Sequence, residues 1–284
     1  MIPDRELLNL VPRVLRARDY HLYLEGGKRL VDLWLSAGKA ILGHKPAGVV
    51  RELKNAAERG LFVSFPHPME RRFLKALELF FPGRAFRLYA DEGALYRALE
   101  KAGFPGSENV FIWRPFLEQE PAAGLSQPER AAFTVPVLPW PLGPAVLVLD
   151  KDAEAGFPPG ELIPPVLLAP ATRALHDLAS LMKAKTFPRY PKIEKALALA
   201  KEADSASCRW SRRGIYLSTG TEKKEYAALF RDFLEGGFLL PPSPEEPAIL
   251  PFSMSPGEEA KLAQLLIEHV GSSGPSGCQP LISI

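Results

Sequence analysis

The sequence predicts an α/β fold with a covered central sheet and a compact α+β unit toward the C-terminus. Three observations carry this. Ala145–Leu149 reads AVLVL, apolar at every position, as expected of a strand covered on both faces of a parallel sheet. Short apolar runs alternate with helical patterns through the middle of the chain, the rhythm of βαβ units. From Pro191 onward the order becomes αβαββα.

An arginine-rich lead-in precedes a strand over Tyr20–Leu24 and a second over Arg29–Leu33. Glu25-Gly26-Gly27 between them supplies the positive-φ positions of a tight hairpin. Val49, Val50, Leu53, Ala56 and Ala57 have helical spacing, and Gly60 stands where a C-cap belongs. A helix over Pro68–Phe81 buries Phe73, Leu77 and Phe80 and stops at Pro82-Gly83. Central strands are expected at Phe86–Tyr89, Asn109–Trp113, Phe133–Leu138, Ala145–Leu149 and Val166–Ala169, with a helix over Ala94–Ala102. The C-terminal unit holds a helix over Ile193–Ala203, a strand over Gly214–Leu217 and a helix over Glu222–Glu235. Thr221 is that last helix's expected N-cap, and Gly236-Gly237 closes it. Strands Phe238–Leu240 and Ala248–Phe252 and a helix over Gly257–Val270 follow; the tail GSSGPSGCQPLISI is expected to be mobile.

At 284 residues, with 46% apolar and 24% charged residues, the chain has soluble-globular composition and can bury a full core. A net charge of +2 gives no electrostatic reason for nucleic acid or an anionic membrane as partner. No apolar run approaches the ~18 residues of a membrane span, and the N-terminus MIPDRELLNL does not read as a signal peptide. Cys208 and Cys278, the only cysteines, stand far apart, which fits a reducing cytoplasm rather than a disulfide framework. The histidines have no metal-ligand spacing.

Three stretches carry a resemblance. The first is DYHLYLEGGKRLVDLWLSAGKAILGHKPAGVVRELKNAAERG, with its Gly43-His44-Lys45-Pro46 step, continuing as FVSFPHPMERRFLKALELFFPG. The second is FRLYADEGALYRALEKAGFPGSENVFIW, and the third FRDFLEGGFLLPPSPEEPAILPFSMSPGEEAKLAQLL. In this order they resemble class III, fold-type I aminotransferases that use pyridoxal phosphate (PLP), most closely glutamate-1-semialdehyde aminomutase. The match fades between Glu118 and Pro191, within the cofactor-carrying part. The resemblance implies a shortened fold-type I large α/β domain over residues 61–190. A small α+β domain is implied from residues 1–60 and 191–270, followed by the tail 271–284. It also implies a homodimer, or association with an intact aminotransferase homologue.

PLP catalysis needs a Schiff-base lysine, a phosphate cradle at a helix N-terminus, an aspartate for the pyridine nitrogen and an aromatic stacker. Where the family has Ser-Gly-Thr-Glu-Ala, this chain has Ala90-Asp91-Glu92-Gly93-Ala94: the hydroxyls are gone and two carboxylates stand near the phosphate's place. Asp91 and Glu92 read instead as cap and first-turn acid. Phe116 is the candidate stacker and Asp150, at the end of AVLVL, the candidate aspartate. The family's serine-and-acid step implies Ser64 and Glu70. No lysine follows a strand in a glycine-rich turn: Lys183 and Lys185 lie in a helix-like run, and Lys151 stands beside Asp150.

No catalytic residue is therefore assigned, and no cofactor is expected. The sequence reading is an aminotransferase-like pseudoenzyme with a binding or structural role. One alternative is an active PLP-dependent aminotransferase or aminomutase with relocated site residues. Another is a small-ligand binder whose vestigial cleft lies around Ser64, Asp150 and His176.

Overall fold

The computed structural model describes residues 5–106, 110–117, 133–184, 187–203 and 210–269. Cys208, Cys278, Lys185 and the tail 271–284 lie outside the described residues.

The central sheet has four strands: β4 (Ala85–Tyr89), β5 (Val110–Trp113), β6 (Phe133–Pro136) and β7 (Ala145–Leu149), in the order β4-β7-β6-β5. All five residues of β7 are buried, as the AVLVL run predicts. Its direction is not the expected one. β7 pairs antiparallel with β4 (Ala85↔Leu149 to Tyr89↔Ala145) and with β6, while β5 and β6 are parallel. An apolar run reports coverage on both faces, not strand direction. Val146 and Val148 face Phe73, Leu77, Leu168 and Leu175; Ala145, Leu147 and Leu149 face Leu95, Leu99 and Phe157. β4, β5 and β6 thus run one way, and their C-terminal ends share one edge of the sheet.

Helix α4 (Glu92–Lys101) covers one face. On the other lie α2 (Ala47–Glu58), α3 (Pro68–Leu77) and α5 (Pro165–Ala184), with α5 packed on both of its neighbours. The expected strand Val166–Ala169 is instead part of α5. A four-residue apolar run is ambiguous between the two states. Here Pro165 begins a twenty-residue helix whose early positions are buried against α2 and α3. The proline inside it, Pro170, is buried, and the neighbouring Thr172 hydroxyl donates to the Leu168 carbonyl at 2.7 Å. α3 ends at Leu77 rather than Phe81.

The chain ends meet in a second core. β1 (Val14–Arg18), β2 (His21–Leu24) and β3 (Arg29–Asp32) form an antiparallel meander, and the C-terminal strand β10 (Phe238–Leu239) joins parallel to β3. The hairpin turn holds Gly26 and Gly27 at φ of 82° and 81°, where side chains are disfavoured. A three-stranded sheet, β8 (Trp210–Arg213), β9 (Tyr216–Thr219) and β11 (Ala248–Ile249), connects to the first through Ile249, whose N–H donates to the Leu33 carbonyl at 2.7 Å. Helices α6 (Pro191–Ala203), α7 (Lys223–Glu235) and α8 (Pro256–Glu268) complete this half, and a short α1 (Arg5–Leu8) adds Leu7. Leu22, Leu24, Leu30 and Leu33 share one apolar cluster with Phe230, Phe233, Leu262 and Leu266.

Three local expectations change here. The arginine-rich lead-in is strand β1, concealed by side chains that point outward. Gly214-Ile215 is the turn of a hairpin, not the start of a strand. Thr221 does not cap α7: it is buried, its hydroxyl is bonded to that of Thr219 at 2.6 Å, and Glu222 takes the N-cap position without its side chain capping the helix amides. Ser255 does cap α8, in a capping box with Glu258.

Glu258 also ties the chain ends, accepting from His21 at 2.9 Å and Arg29 at 2.7 Å. Burial pushes its carboxyl up, while the Ser255 backbone and hydroxyl bonds and His21 pull it down; the net is below its usual 4.5. A depressed carboxylate contributes stability that is present above its unfolded value and lost as pH falls through the folded one. We expect Glu258→Gln to flatten the stability loss below about pH 4.5 in urea titrations. We also expect a fragment beginning at Pro191 not to fold cooperatively alone, because it lacks β3 and the four leucines that complete its core.

Candidate functional site

The shared C-terminal edge of β4, β5 and β6 faces the chain-end half across a cavity of about 1070 Å³. Its floor is the turn after β3. There Leu35, Ser36 and Ala37 have φ of 50°, 53° and 59°, followed by Gly38 at 95°. Three successive non-glycine residues in the left-handed region cost about 1–2 kcal/mol each. A Cβ on Gly38 would meet Ile249 at 3.3 Å and Val137 at 3.4 Å.

Asp32 holds this turn. It is 2% exposed. One carboxylate oxygen accepts from the Trp34 and Leu35 amides at 2.8 and 2.9 Å, and the other from His44 Nε2 at 2.9 Å. From the opposite wall, Arg114 at the end of β5 donates to the Ala37 carbonyl at 3.0 Å. Trp34 donates through its indole N–H to Glu246, a buried carboxylate, at 2.8 Å. Tyr96 and Arg97 line the wall formed by α4, and burial followed by Glu92 pushes the Tyr96 phenol up.

The N-terminus of α4 opens on the same edge, and the chain's own acids cluster around it. Asp91 accepts from the Ala94 amide at 2.7 Å as N-cap. Glu161 accepts from the Ala90 amide at 2.8 Å. Glu92 is paired with Lys39 at 2.7 Å. Lys39 lines both the large cavity and an adjoining pocket of about 470 Å³ beside Trp140 and Leu167.

Of the sequence candidates, the structure brings Asp91 and Glu92 to this edge and leaves the others elsewhere. Asp150 follows Leu149, the partner of Ala85, so it stands at the opposite end of the sheet; it is exposed and paired with Arg84. Lys151 is exposed beside it. Phe116 is buried in the chain-end core, its ring 5.8 Å from Phe187 and 5.1 Å from Phe252, and it lines neither cavity. Ser64 is exposed between α2 and α3, and His176 is exposed on α5. Lys183 is exposed at the end of α5. Trp34, Lys39, Arg114 and Glu246 escaped the sequence reading. Among the described residues no cluster of three or more His, Cys, Asp or Glu is placed to hold a metal.

No known family profile matches the chain. Two sequence relatives are described only as uncharacterized proteins. One, of Treponema pallidum (strain Nichols), is 26% identical over 87% of this chain and 91% of its own. The other, of Borreliella burgdorferi, is 26% identical over 90% of each. Among solved structures, the ornithine δ-aminotransferase of Plasmodium falciparum aligns over 92% of both chains with a TM-score of 0.65 and 12% identity. An ω-transaminase from Sphaerobacter thermophilus aligns over 90% of both with a TM-score of 0.65 and 8% identity. A transaminase solved with PLP bound gives a TM-score of 0.64 at 13% identity, over 91% of this chain and 90% of its own. The fold is therefore that of the fold-type I aminotransferases, in shortened form.

Removing a buried carboxylate that holds two amides and a histidine leaves all three unsatisfied. We expect Asp32→Ala to cost about 3–5 kcal/mol in denaturant unfolding. Asp150→Ala, which removes a largely exposed ion pair, should change stability by less than about 1 kcal/mol.

Proposed function

We propose that this chain is a non-catalytic descendant of the class III aminotransferases that holds a small ligand non-covalently in the cleft at the C-terminal edge of its sheet. The observation that carries this reading is the acid-capped N-terminus of α4. Asp91 and Glu161 take up the amides of Ala94 and Ala90, and Glu92 adds a second charge beside Asp91. These residues do not fit the phosphate of PLP. Like charges within ~4–6 Å repel by several kcal/mol in a partly desolvated site, and the hydroxyl donors of the family's loop are absent. Among the described residues no lysine other than Lys39 lines the two cavities, and its ammonium is held by Glu92. Asp150 lies at the far end of the sheet and Phe116 within the core, which further supports loss of the cofactor chemistry.

What the cleft retains is suited to binding. Arg114, half-buried, and Glu246, buried, present opposite charges to one cavity walled by Trp34 and Tyr96. A carboxylate on Arg114 and a cation near Glu246 would neutralise both, since buried charge is favourable only when paired. A small zwitterion of this kind suits the site better than the region around Ser64, Asp150 and His176. The N-terminal segment resembles glutamate-1-semialdehyde aminomutase most closely, and we place the chain's origin near that enzyme. No described helix is long and apolar enough to cross a membrane; together with the sparse cysteines, this supports a cytoplasmic setting.

Association is the second part of the proposal. In the connection between α2 and α3, Phe62 is 58%, Val63 65% and Phe65 38% exposed. Contiguous exposed apolar residues mark contact surfaces, and a two-fold homodimer is the commonest way to cover one. An intact aminotransferase homologue would meet the same face.

Incubation with PLP should give no protein-bound aldimine band, and borohydride should fix no cofactor on a lysine. A stoichiometric adduct at Lys39 would overturn the non-covalent reading. By light scattering we expect twice the 31.3 kDa mass of the chain, reduced to one chain by Phe62→Asp without loss of the folded circular dichroism spectrum. A monomer for the unaltered protein would remove the dimer from the proposal.

A further inference from the structure

Strand β1 is the outer strand of its sheet, and among the described residues no strand pairs with the side away from β2. Such an edge presents backbone N–H and C=O groups ready to pair with another chain. Its two faces differ in chemistry. Arg16 stands opposite Tyr23 and Arg18 opposite His21, with the Arg16 guanidinium 4.2 Å above the Tyr23 ring. Ala17 stands opposite the buried Leu22, and Val14 opposite the buried Leu24. A bulge between Val14 and Arg16 leaves Leu15 71% exposed. Beside the apolar face a groove of about 350 Å³ is lined mostly by apolar surface, from Leu8, Val11, Val14 and Leu239, with Arg13 and the paired Asp32 and His44 also reaching it.

We propose that β1 is a docking edge for an extended acidic segment of another protein. The segment adds a strand to the sheet, sets carboxylates over Arg16 and Arg18, and sends the alternate, apolar side chains into the groove. Side chains on an added strand alternate between faces, so the two surfaces together select an acidic–apolar period of two. Charge decides against a second copy of this chain. Two β1 edges would set arginines against arginines, and like charges directly across a strand pair are destabilising. Among the described residues Arg16 has no carboxylate partner. The Arg18–Asp19 contact at 3.5 Å has both side chains 68% exposed and holds Arg18 only weakly. His21 and Arg29 on the same face are already held by Glu258, which leaves the two β1 arginines to the partner. The arginines and the bulge that protect this edge from indiscriminate pairing are the features that make it selective.

The test uses the full-length protein and a labelled synthetic peptide that alternates glutamate with leucine. We expect saturable binding by fluorescence anisotropy, with amide exchange slowed over residues 14–18. Arg16→Glu with Arg18→Glu should weaken binding at least about tenfold. These side chains are on the surface, so the variant should keep its circular dichroism spectrum. Two altered peptides, one with lysine for glutamate and one N-methylated along the backbone, should bind at least about tenfold more weakly to the unaltered protein. They keep the test decisive if the variant misfolds. No saturable binding, equal binding of the lysine or N-methylated peptide, or protection confined to the cavity at Arg114 would overturn the proposal.

Discussion

The carboxylate of Asp32 is the point on which the cleft depends. It sits at the end of β3, paired in register with Leu239 of β10, where the two ends of the chain are joined. Burying a carboxylate is expensive unless its oxygens are engaged; here two backbone amides and one imidazole engage them. Those bonds offset the cost of three left-handed residues that no local preference would select. The turn so held delivers Trp34 to Glu246, the Ala37 carbonyl to Arg114 and Lys39 to Glu92. Each of these contacts joins parts of the chain far apart in sequence, and none would form if the turn relaxed to ordinary right-handed geometry.

The cleft lies between two apolar bodies with different origins. One is the sheet of β4 to β7 with its helices; the other is assembled from the chain ends. Polar contacts at their junction include Arg114 to Ala37, Lys39 to Glu92 and the Tyr216 hydroxyl, which donates to the Pro115 carbonyl at 2.6 Å. Burial pushes the Tyr216 phenol far up, so it remains a donor at any physiological pH. A cavity of this size between two such bodies is a common place for a small ligand, and the charges at its rim already hold the bodies in register.

Much of the fold was legible in the sequence, and the exceptions have physical causes. Hydrophobic period revealed β2, α2, α4, α7 and α8, because each buries one face more than the other, and the Gly26-Gly27 turn placed β3 after β2. It could not give the direction of β7, since coverage on both faces erases the pattern that distinguishes the two pairings. It misread the start of α5, whose four apolar residues carry no period of their own. β1 was hidden because its arginines face solvent and its bulge interrupts alternation. At the site, Asp91 was legible as a cap because capping is local chemistry. Arg114, Glu246 and Lys39 were not, because their meaning comes only from the turn at Leu35–Gly38, and three left-handed non-glycine residues leave no compositional trace. Asp150 failed as a cleft residue for the same reason as β7: an antiparallel strand carries its C-terminal end to the opposite edge.

The N-terminus of α4 shows how a side chain can supply what a helix start otherwise takes from a bound anion. A helix start exposes amides that favour an anion, and either a bound phosphate or a side-chain carboxylate can supply it. A capping acid contributes about 1 kcal/mol to the helix with no ligand present. Asp91 supplies that acceptor from within the chain, and Glu92 pairs with Lys39 beside it. Both acids favour stability in the empty protein and disfavour a dianion at the same place. The strained turn beneath them is retained nonetheless, with its full set of buried hydrogen bonds. Strain of that kind persists only where the surrounding structure over-determines it. The turn lies on the cavity floor rather than in either core, so the same bonds that hold it also set the shape of the cleft.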